Sequence, residues 1–230
     1  MSAWVGAPTS LRWSDPEHSI APSRIMEYES GIVDSPETDI SAQIARCLRE
    51  LRLARELSID ALANRSGVSR SMISLIERGE SSPTAVVLEK LAAGLGIALA
   101  RLFEATTAAP VATGPLQRRA DQAEWQDPGS GYVRRQVSPH GVTQPMQIAE
   151  VHFPAGARVA FENAAREVRI YQQIWLLEGT LEITLGTERY RLRAGDCLAM
   201  QLDAPTMFHN PTRKAARYAV VVATEAAPRR

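Results

Sequence analysis

Residues 61–80, ALANRSGVSRSMISLIERGE, hold the side chains with the clearest capacity for chemistry in this chain. Helical spacing places Arg70, Ser71 and Ser74 together on one outward face. An arginine at the front of such a helix can donate two hydrogen bonds to a guanine edge in the major groove of DNA. Serines can donate to phosphates or bases, and Arg78 at the far end suits a phosphate. The pattern therefore predicts a contact surface for double-stranded DNA.

Helical periodicity extends over residues 39–104, and these helices must position that surface. Apolar spacing predicts a first helix from about Ile40 to Glu56. Two short helices joined by a turn at Gly67 then follow, and such a pair can set its second helix in a major groove. Ile73 and Ile76 of that second helix are expected to face the core. Five helices are predicted, with caps and ends at Ser58, Gly67, Ser69, Gly79, Pro83-Thr84 and Gly96 and a last short turn at Ile97–Phe103.

The order of these motifs resembles a helix-turn-helix domain of the XRE, lambda-repressor-like type. The stretches that carry the resemblance are LRELRLARELS, ALANRSGVSRSMISLIERGESSPT, LEKLAAGLGI and LF. They cover residues 40–103 and imply a recognition helix at 69–78, with Arg70, Ser71 and Leu75 nearest the bases. Many relatives carry a polar side chain, often Gln, where this chain has Leu75. That residue is expected either to pack partly buried or to touch a thymine methyl group.

The resemblance also implies an ion pair between Arg52 of the first helix and Glu77, which would orient the recognition helix without reading DNA. Residues 39–104 carry nine Lys and Arg against eight Asp and Glu, and so weak a net charge lowers non-specific affinity for DNA. A plain helical bundle or a protein-docking domain is the alternative interpretation. The residues expected to contact DNA are Ser58, Ser69, Arg70, Ser71, Ser74, Leu75 and Arg78.

Short β-rich stretches follow residue 118, separated by turns that contain Gly or Pro, and this spacing is typical of a sandwich or a barrel. The stretch GTLEITLGTERYRLRAGDCLAMQLDAPTMFHNPT resembles the cupin fold, a double-stranded β-helix or jelly-roll barrel, over about residues 118–224. The predicted fold class is therefore multidomain: an all-α five-helix domain before an all-β cupin. The predicted strands are Tyr132–Val137, Gln147–Phe153, Gln172–Leu177, Leu181–Leu185, Arg189–Leu192, Cys197–Met200 and Tyr218–Ala223.

The cupin resemblance also indicates where metal ligands would lie. A metal-binding cupin supplies a His-x-His, a Glu and a further His, which suit Fe, Mn, Ni or Zn. The His-x-His place falls near 161–164, which reads FENA, the glutamate place is Gln172 and the last histidine place is Thr206. The family's Asn is present as Asn210. No metal, cofactor or catalytic residue is predicted, which argues against the alternative of a cupin enzyme fused to a DNA-binding domain.

The barrel interior can still hold a small molecule, because a few polar groups among apolar walls make a ligand pocket. The alternative is a filled core in a barrel that serves to dimerise. Trp175, on the same strand as Gln172, is expected to face a partner sheet or a partner subunit. The residues predicted to line the pocket are Phe161, Asn163, Gln172, Thr206, Phe208 and Asn210.

Composition sets further limits on the function. The 26 Lys and Arg balance the 26 Asp and Glu, which excludes a globally basic nucleic-acid coat. No apolar run approaches the ~20 residues that cross a membrane, and the N-terminus lacks the pattern of a secretory signal. Cys47 and Cys197 have no CxxC partner, so a reducing, cytoplasmic compartment is expected.

The sequence thus predicts a homodimeric transcriptional regulator, not an enzyme, whose partners are an inverted-repeat DNA operator and a small-molecule effector. A protein-interaction module of the antitoxin kind is a further alternative. Met26 is an alternative start, which would leave residues 1–25 outside the native protein. The predicted segments are a flexible tail (1–38), the helix-turn-helix domain (39–104), a linker (105–117), the cupin-like domain (118–224) and a C-terminal tail (225–230).

Overall fold

The computed structural model describes residues 40–104, 114–140, 145–163 and 168–226. The predicted tail at 1–38, most of the predicted linker and residues 227–230 lie outside these ranges. The first range contains four α-helices, α1 (Ile40–Ala54), α2 (Ile59–Ser66), α3 (Arg70–Glu77) and α4 (Ala85–Leu95). Among the described helices, the longest has 15 residues, and none has the length and hydropathy of a membrane span.

The prediction of five helices is not confirmed, because the described residues contain four α-helices and the last predicted turn is of another type. Leu99–Phe103 forms a 3-10 helix, in which Arg101 N donates to Ala98 O at 3.0 Å. Its bonds therefore join residues three apart rather than four. A run of five residues gives few bonds of the α type, and 3-10 turns are frequent as short connectors. The helical region thus has four α-helices and one 3-10 turn.

Local side-chain chemistry fixes the ends of the two central helices, as the sequence predicts. The Ser58 hydroxyl accepts from Ala61 N at 3.0 Å at the start of α2, and the Ser69 hydroxyl accepts from Met72 N at 3.2 Å at the start of α3. Gly67 ends α2 with φ 68°, a left-handed conformation that favours glycine. These contacts set the tight turn between α2 and α3, the turn that orients α3.

The remaining described residues form ten strands in two antiparallel sheets. One sheet has the order β1-β2-β3-β10-β5-β8 and the other β4-β9-β6-β7. Their inward residues alternate along each strand and meet between the sheets, which is the double-sheet arrangement of a jelly-roll barrel. The strands are β1 (Glu124–Gln126), β2 (Val133–Gln136), β3 (Met146–Phe153), β4 (Arg158–Phe161), β5 (Val168–Glu178), β6 (Thr180–Leu185), β7 (Glu188–Arg193), β8 (Cys197–Gln201), β9 (Thr206–His209) and β10 (Ala216–Ala226).

The helical region packs directly on the barrel through a small number of buried contacts. Asp127, 2% exposed, accepts a hydrogen bond from Ala85 N at 2.8 Å, so its carboxylate lies at the N-terminus of α4. An acceptor with negative charge is favourable at that helix end. The Phe103 and Trp125 rings meet edge to face at 5.4 Å, and the Arg134 guanidinium lies 5.2 Å from the Phe103 ring centre. The two regions therefore share one apolar core.

Helices α2 and α4 approach so closely at Gly94 that a larger residue does not fit. A Cβ at position 94 would lie 2.9 Å from the Ser66 Cβ and 3.1 Å from the Ser66 Cα and N. Alanine has a helix propensity better than that of glycine by about 1 kcal/mol, but overpacking costs about 1–3 kcal/mol. We expect Gly94→Ala to lower the midpoint of urea unfolding, and Gly94→Val to lower it further. A Gly94→Ala variant as stable as the parent would contradict this close approach.

Candidate DNA-binding surface and barrel cavity

The predicted reading face lies at the N-terminal end of α3 and is open to solvent. Ile73 and Ile76 are 0% and 1% exposed, so the helical phase expected from the sequence is confirmed. Ser69 and Ser71 are exposed, with their hydroxyl oxygens 3.2 Å apart. The Arg70 side chain is 72% exposed. These three residues present hydrogen-bonding groups outward from the first turn of the helix.

Arg70 has an acidic neighbour on the preceding helix. Its Nε lies 3.4 Å from Asp60 Oδ1, and the Asp60 side chain is 61% exposed. An ion pair so open to solvent contributes between nothing and about 1 kcal/mol. Arg70 can therefore exchange Asp60 for a base edge at little cost in free energy. The negative charge of Asp60 would repel a phosphate placed beside Arg70.

Arg78, the predicted phosphate contact, is engaged within its own chain. Its Nε and a terminal nitrogen each donate to a Glu80 carboxylate oxygen at 2.8 Å, and it also contacts the Ser74 hydroxyl. The hydrogen bond from Arg78 lowers the pKa of Glu80. Ser74 and Leu75 are half-buried, so they offer less surface than the first turn. Sequence periodicity did not indicate Glu80, because this pair lies beyond the end of the helix.

The ion pair expected between the first and third helices is present. Arg52 Nε donates to Glu77 Oε1 at 2.6 Å, and a second guanidinium nitrogen donates to Glu77 Oε2 at 2.7 Å. A third bond joins Arg52 to the Leu57 carbonyl at 2.8 Å. The two side chains are only 9% and 7% exposed. Ser58, whose hydroxyl caps α2, remains exposed nearby.

A cavity of about 70 Å³ lies inside the barrel. This volume is below the roughly 300–1,000 Å³ of drug-sized ligand sites, so the cavity suits only a small molecule. Five of the six residues predicted from the sequence lie on its wall: Phe161, Asn163, Gln172, Thr206 and Phe208.

Two of the polar residues on that wall are bonded to each other. The Asn163 amide donates to the Ala204 carbonyl at 2.9 Å and to the Thr206 hydroxyl at 2.8 Å. Asn163 has φ 44°, in the left-handed region that asparagine tolerates better than most residues. These contacts fix the amide in place, so Gln172 is left as the more adaptable amide on the wall.

The prediction that Asn210 lines the cavity is wrong. Asn210 is 0% exposed and follows the last residue of β9. Its amide donates to the carbonyls of Phe153, Pro154 and Lys214 at 3.3, 3.1 and 2.8 Å. Asn210 thus holds three loop carbonyls together and contributes to stability rather than to a pocket.

Other cavity residues were not predicted. Arg134 and Tyr218 come from the inner face of the six-stranded sheet, Tyr132 immediately precedes β2, and Glu89 and Ala98–Ala100 come from the helical region. Burial raises the pKa of both tyrosines and lowers the pKa of Arg134. The stretch VRRQ in β2 reads as a solvent-facing strand, so the sequence gave no signal for an inward arginine. Contacts between the two regions are likewise invisible to local patterns.

The residues at the positions that hold the ligands in a metal-binding cupin do not fit a transition metal. Gln172 and Asn163 offer neutral amides and Thr206 a hydroxyl, whereas such metals take imidazole, carboxylate or thiolate ligands. The Asn163 amide nitrogen and the Thr206 hydroxyl already bond within the protein. Across the described residues no group of three His, Cys, Asp or Glu could hold a metal ion.

The α2–turn–α3 unit, its capped helix ends and its outward first turn define the helix-turn-helix class, here joined to a two-sheet jelly-roll barrel. The family model HTH_3, helix-turn-helix, matches residues 48–102. The control protein C.MunI of Mycoplasma sp is 38% identical over 66 residues, which are 28% of this chain and 89% of that protein.

Two further similarities extend over both regions. The HTH-type transcriptional regulator SutR of Escherichia coli (strain K12) is 24% identical over 167 residues, 73% of this chain and 86% of that protein. A crystal structure of an HTH_3 family transcriptional regulator from Vibrio cholerae is 29% identical, with a TM-score of 0.62, and covers 84% of this chain and 100% of its own. The chain belongs to the HTH_3 helix-turn-helix family of transcriptional regulators, the XRE type predicted from the sequence.

Proposed function

We propose that this chain is a cytoplasmic, sequence-specific regulator of transcription that binds an inverted-repeat operator as a homodimer. Its barrel binds a small-molecule effector and carries no catalysis. The observation that carries the proposal is the exposed first turn of α3. There Arg70, Ser69 and Ser71 project from a helix whose opposite face is fully buried.

The contacts with DNA follow from this geometry. Arg70 leaves Asp60 and donates two hydrogen bonds to a guanine, an interaction worth about 1–3 kcal/mol of discrimination. Ser58, Ser69 and Ser71 donate to phosphates or bases, Leu75 meets a thymine methyl, and Ser74 and Arg78 reach the backbone at the far end. Arg78 must exchange Glu80 for a phosphate, so it contributes less than its charge suggests.

Dimerisation is proposed to occur through the outer face of the six-stranded sheet. The strand register places Ile148, Val221 and Trp175 on that face, on three neighbouring strands. Ile148 is 37% exposed and Trp175 is 51% exposed. Large apolar side chains exposed together on a sheet mark an interaction surface. Of the two positions expected for Trp175 from the sequence, the proposal thus takes the one against a partner subunit.

The charges that border this apolar face favour a second copy of the same chain. Glu150 bonds Arg135 at 2.7 Å and lies 3.7 Å from Arg217, which also pairs with Glu178. Acidic and basic groups thus alternate along one edge of the face. In a dimer with a two-fold axis each patch faces its own copy, so the acidic groups of one subunit can lie opposite the basic groups of the other.

Selection of bound duplexes from a random-sequence DNA pool tests the proposal. We expect enrichment of an inverted repeat with half-sites about 10 base pairs apart, one helical turn. Arg70→Ala should weaken binding by about 1–3 kcal/mol and remove the preference at one base in each half-site. Arg213→Ala, an exposed arginine in the loop before β10, is the control and should bind like the parent. A selection without enrichment, or an unchanged preference in Arg70→Ala, would contradict the assignment.

A further inference from the structure

The cavity is not a property of the barrel alone, because the helical region forms part of its wall. Glu89 of α4 and the stretch Ala98–Ala100 line it from one side, and inward residues of both sheets line it from the other. Phe103, three residues after that stretch, is 2% exposed and packs on Trp125 of the barrel. Whatever occupies the cavity therefore touches the DNA-binding region as well as the barrel.

Arg134 is the one described guanidinium on this wall. The register pairs it with Val151, which in turn pairs with Tyr218, and all three side chains face the barrel interior. Arg134 is 7% exposed, and its Nε has no hydrogen-bond partner among the described residues. Its guanidinium carbon lies 5.2 Å from the centre of the Phe103 ring. A charge buried in this way is costly unless an anion and hydrogen-bond acceptors compensate it.

The rest of the wall is largely aromatic. Phe161 and Phe208 meet edge to face at 6.0 Å, and the rings of Phe208 and Tyr218 stack at 6.2 Å with planes 10° apart. Such walls suit a flat apolar body, because aromatic rings prefer edge-to-face or offset contacts with one another. The cavity thus combines one buried cation with an aromatic slot.

We propose that the cavity binds an aromatic monocarboxylate, whose carboxylate accepts hydrogen bonds from Arg134 and whose ring packs among Phe161, Phe208 and Tyr218. One negative charge is expected rather than two, because the wall has one described guanidinium to pair with a carboxylate. The ligand acts as the effector by contacting Ala98–Ala100 and the barrel together. That last step depends on the proposed regulatory function, whereas the binding site itself does not.

Calorimetric titration of the full chain, without DNA, tests the site. The probes are phenylacetate and its neutral counterpart phenylacetamide, which share the ring and differ in the charge offered to Arg134. We expect phenylacetate to bind about 10- to 100-fold more tightly than the amide, as a charge-assisted hydrogen bond requires. Equal binding of the two probes, or no binding of phenylacetate up to about 10 mM, would overturn the proposal.

Arg134→Met keeps most of the side-chain volume and removes the charge. We expect it to abolish the preference for phenylacetate over phenylacetamide and to leave amide binding intact. The matched control is Arg213→Met, an exposed arginine outside the cavity, which should retain the preference. Circular dichroism checks that both variants fold, and the comparison of the two probes on the parent chain does not depend on either variant.

The effector role has a separate readout. The Ala85 amide, which donates to Asp127 across the two regions, should exchange its hydrogen more slowly when phenylacetate is bound. Phenylacetate should also change affinity for the selected operator several-fold. Binding of phenylacetate without either effect would overturn the effector role and support the binding site alone. Failure of the operator selection would count against sequence-specific DNA binding and not against the ligand site in the cavity.

Discussion

Glu77→Ala is expected to lower the free energy of unfolding of the helical region by about 3–5 kcal/mol. The substitution leaves the Arg52 guanidinium in place, 8% exposed, with its two carboxylate hydrogen bonds gone and only the Leu57 carbonyl as a described partner. A buried charge without its counter-ion is far more costly than the loss of an exposed pair. The loss also frees α3 from α1, so the reading face loses its fixed orientation.

Denaturant unfolding of the full chain, followed by circular dichroism at a helix band, measures this effect. Glu80→Ala is the matched control, because Glu80 also pairs with an arginine but on the surface, where solvent screens the pair and it contributes little to stability. The double variant Arg52→Met with Glu77→Leu should regain most of the stability, since an apolar pair of similar volume avoids desolvation. Equal unfolding midpoints for Glu77→Ala and Glu80→Ala would show that the buried ion pair contributes no more to stability than the exposed one.

The helical region was predictable from sequence because its determinants are local. Ser58 and Ser69 bond to amides three residues further on, and Gly67 needs only its own backbone conformation. Ile73 and Ile76 follow from helical spacing alone. The type of the last turn was not predictable, because in a stretch as short as Leu99–Phe103 the same residues fit either an α or a 3-10 turn.

Most strands of the barrel were predictable from sequence, and those that were missed are short. Seven strands were predicted near their observed positions, and three were missed: Glu124–Gln126, Arg158–Phe161 and Thr206–His209. Each has three or four residues, too few for alternation to stand out. Two of the missed strands, β4 and β9, pair with each other along their whole length, so their position is fixed by tertiary pairing.

The cavity residues also divide into those that were predicted from the sequence and those that were missed. The cupin resemblance, with the strand phase that it implies, placed Gln172 and Phe208 in the barrel interior, where the structure has them. Asn210 was misassigned because it lies one residue past its strand, where alternation no longer applies. Arg134 was missed because its burial depends on Phe103, 31 positions earlier in the numbering and in the other region. The position of Arg134 thus depends on contacts between the helical region and the barrel, which sequence periodicity does not predict.

Trp175→Arg is expected to convert the proposed dimer to a monomer and to lower affinity for the full operator by about 100-fold or more. The side chain lies on the outer face of the six-stranded sheet and is already 51% exposed, so the barrel should keep its fold. In a two-fold interface the substitution places two guanidinium groups near one another in an apolar setting. Two linked half-sites gain about 10²- to 10⁴-fold in affinity over one, and a monomer loses that gain.

Light scattering after size-exclusion chromatography gives the oligomeric state, and titration with the full inverted repeat and with a single half-site gives the two affinities. Affinity for the half-site should be unchanged in Trp175→Arg, because α3 is untouched. Leu116→Arg is the matched control, since Leu116 is another large apolar side chain, 63% exposed, and lies outside the sheet. A dimer that persists in Trp175→Arg would place the interface elsewhere, whereas loss of half-site affinity as well would mean that the barrel and the DNA-binding region are coupled more tightly than a simple tether.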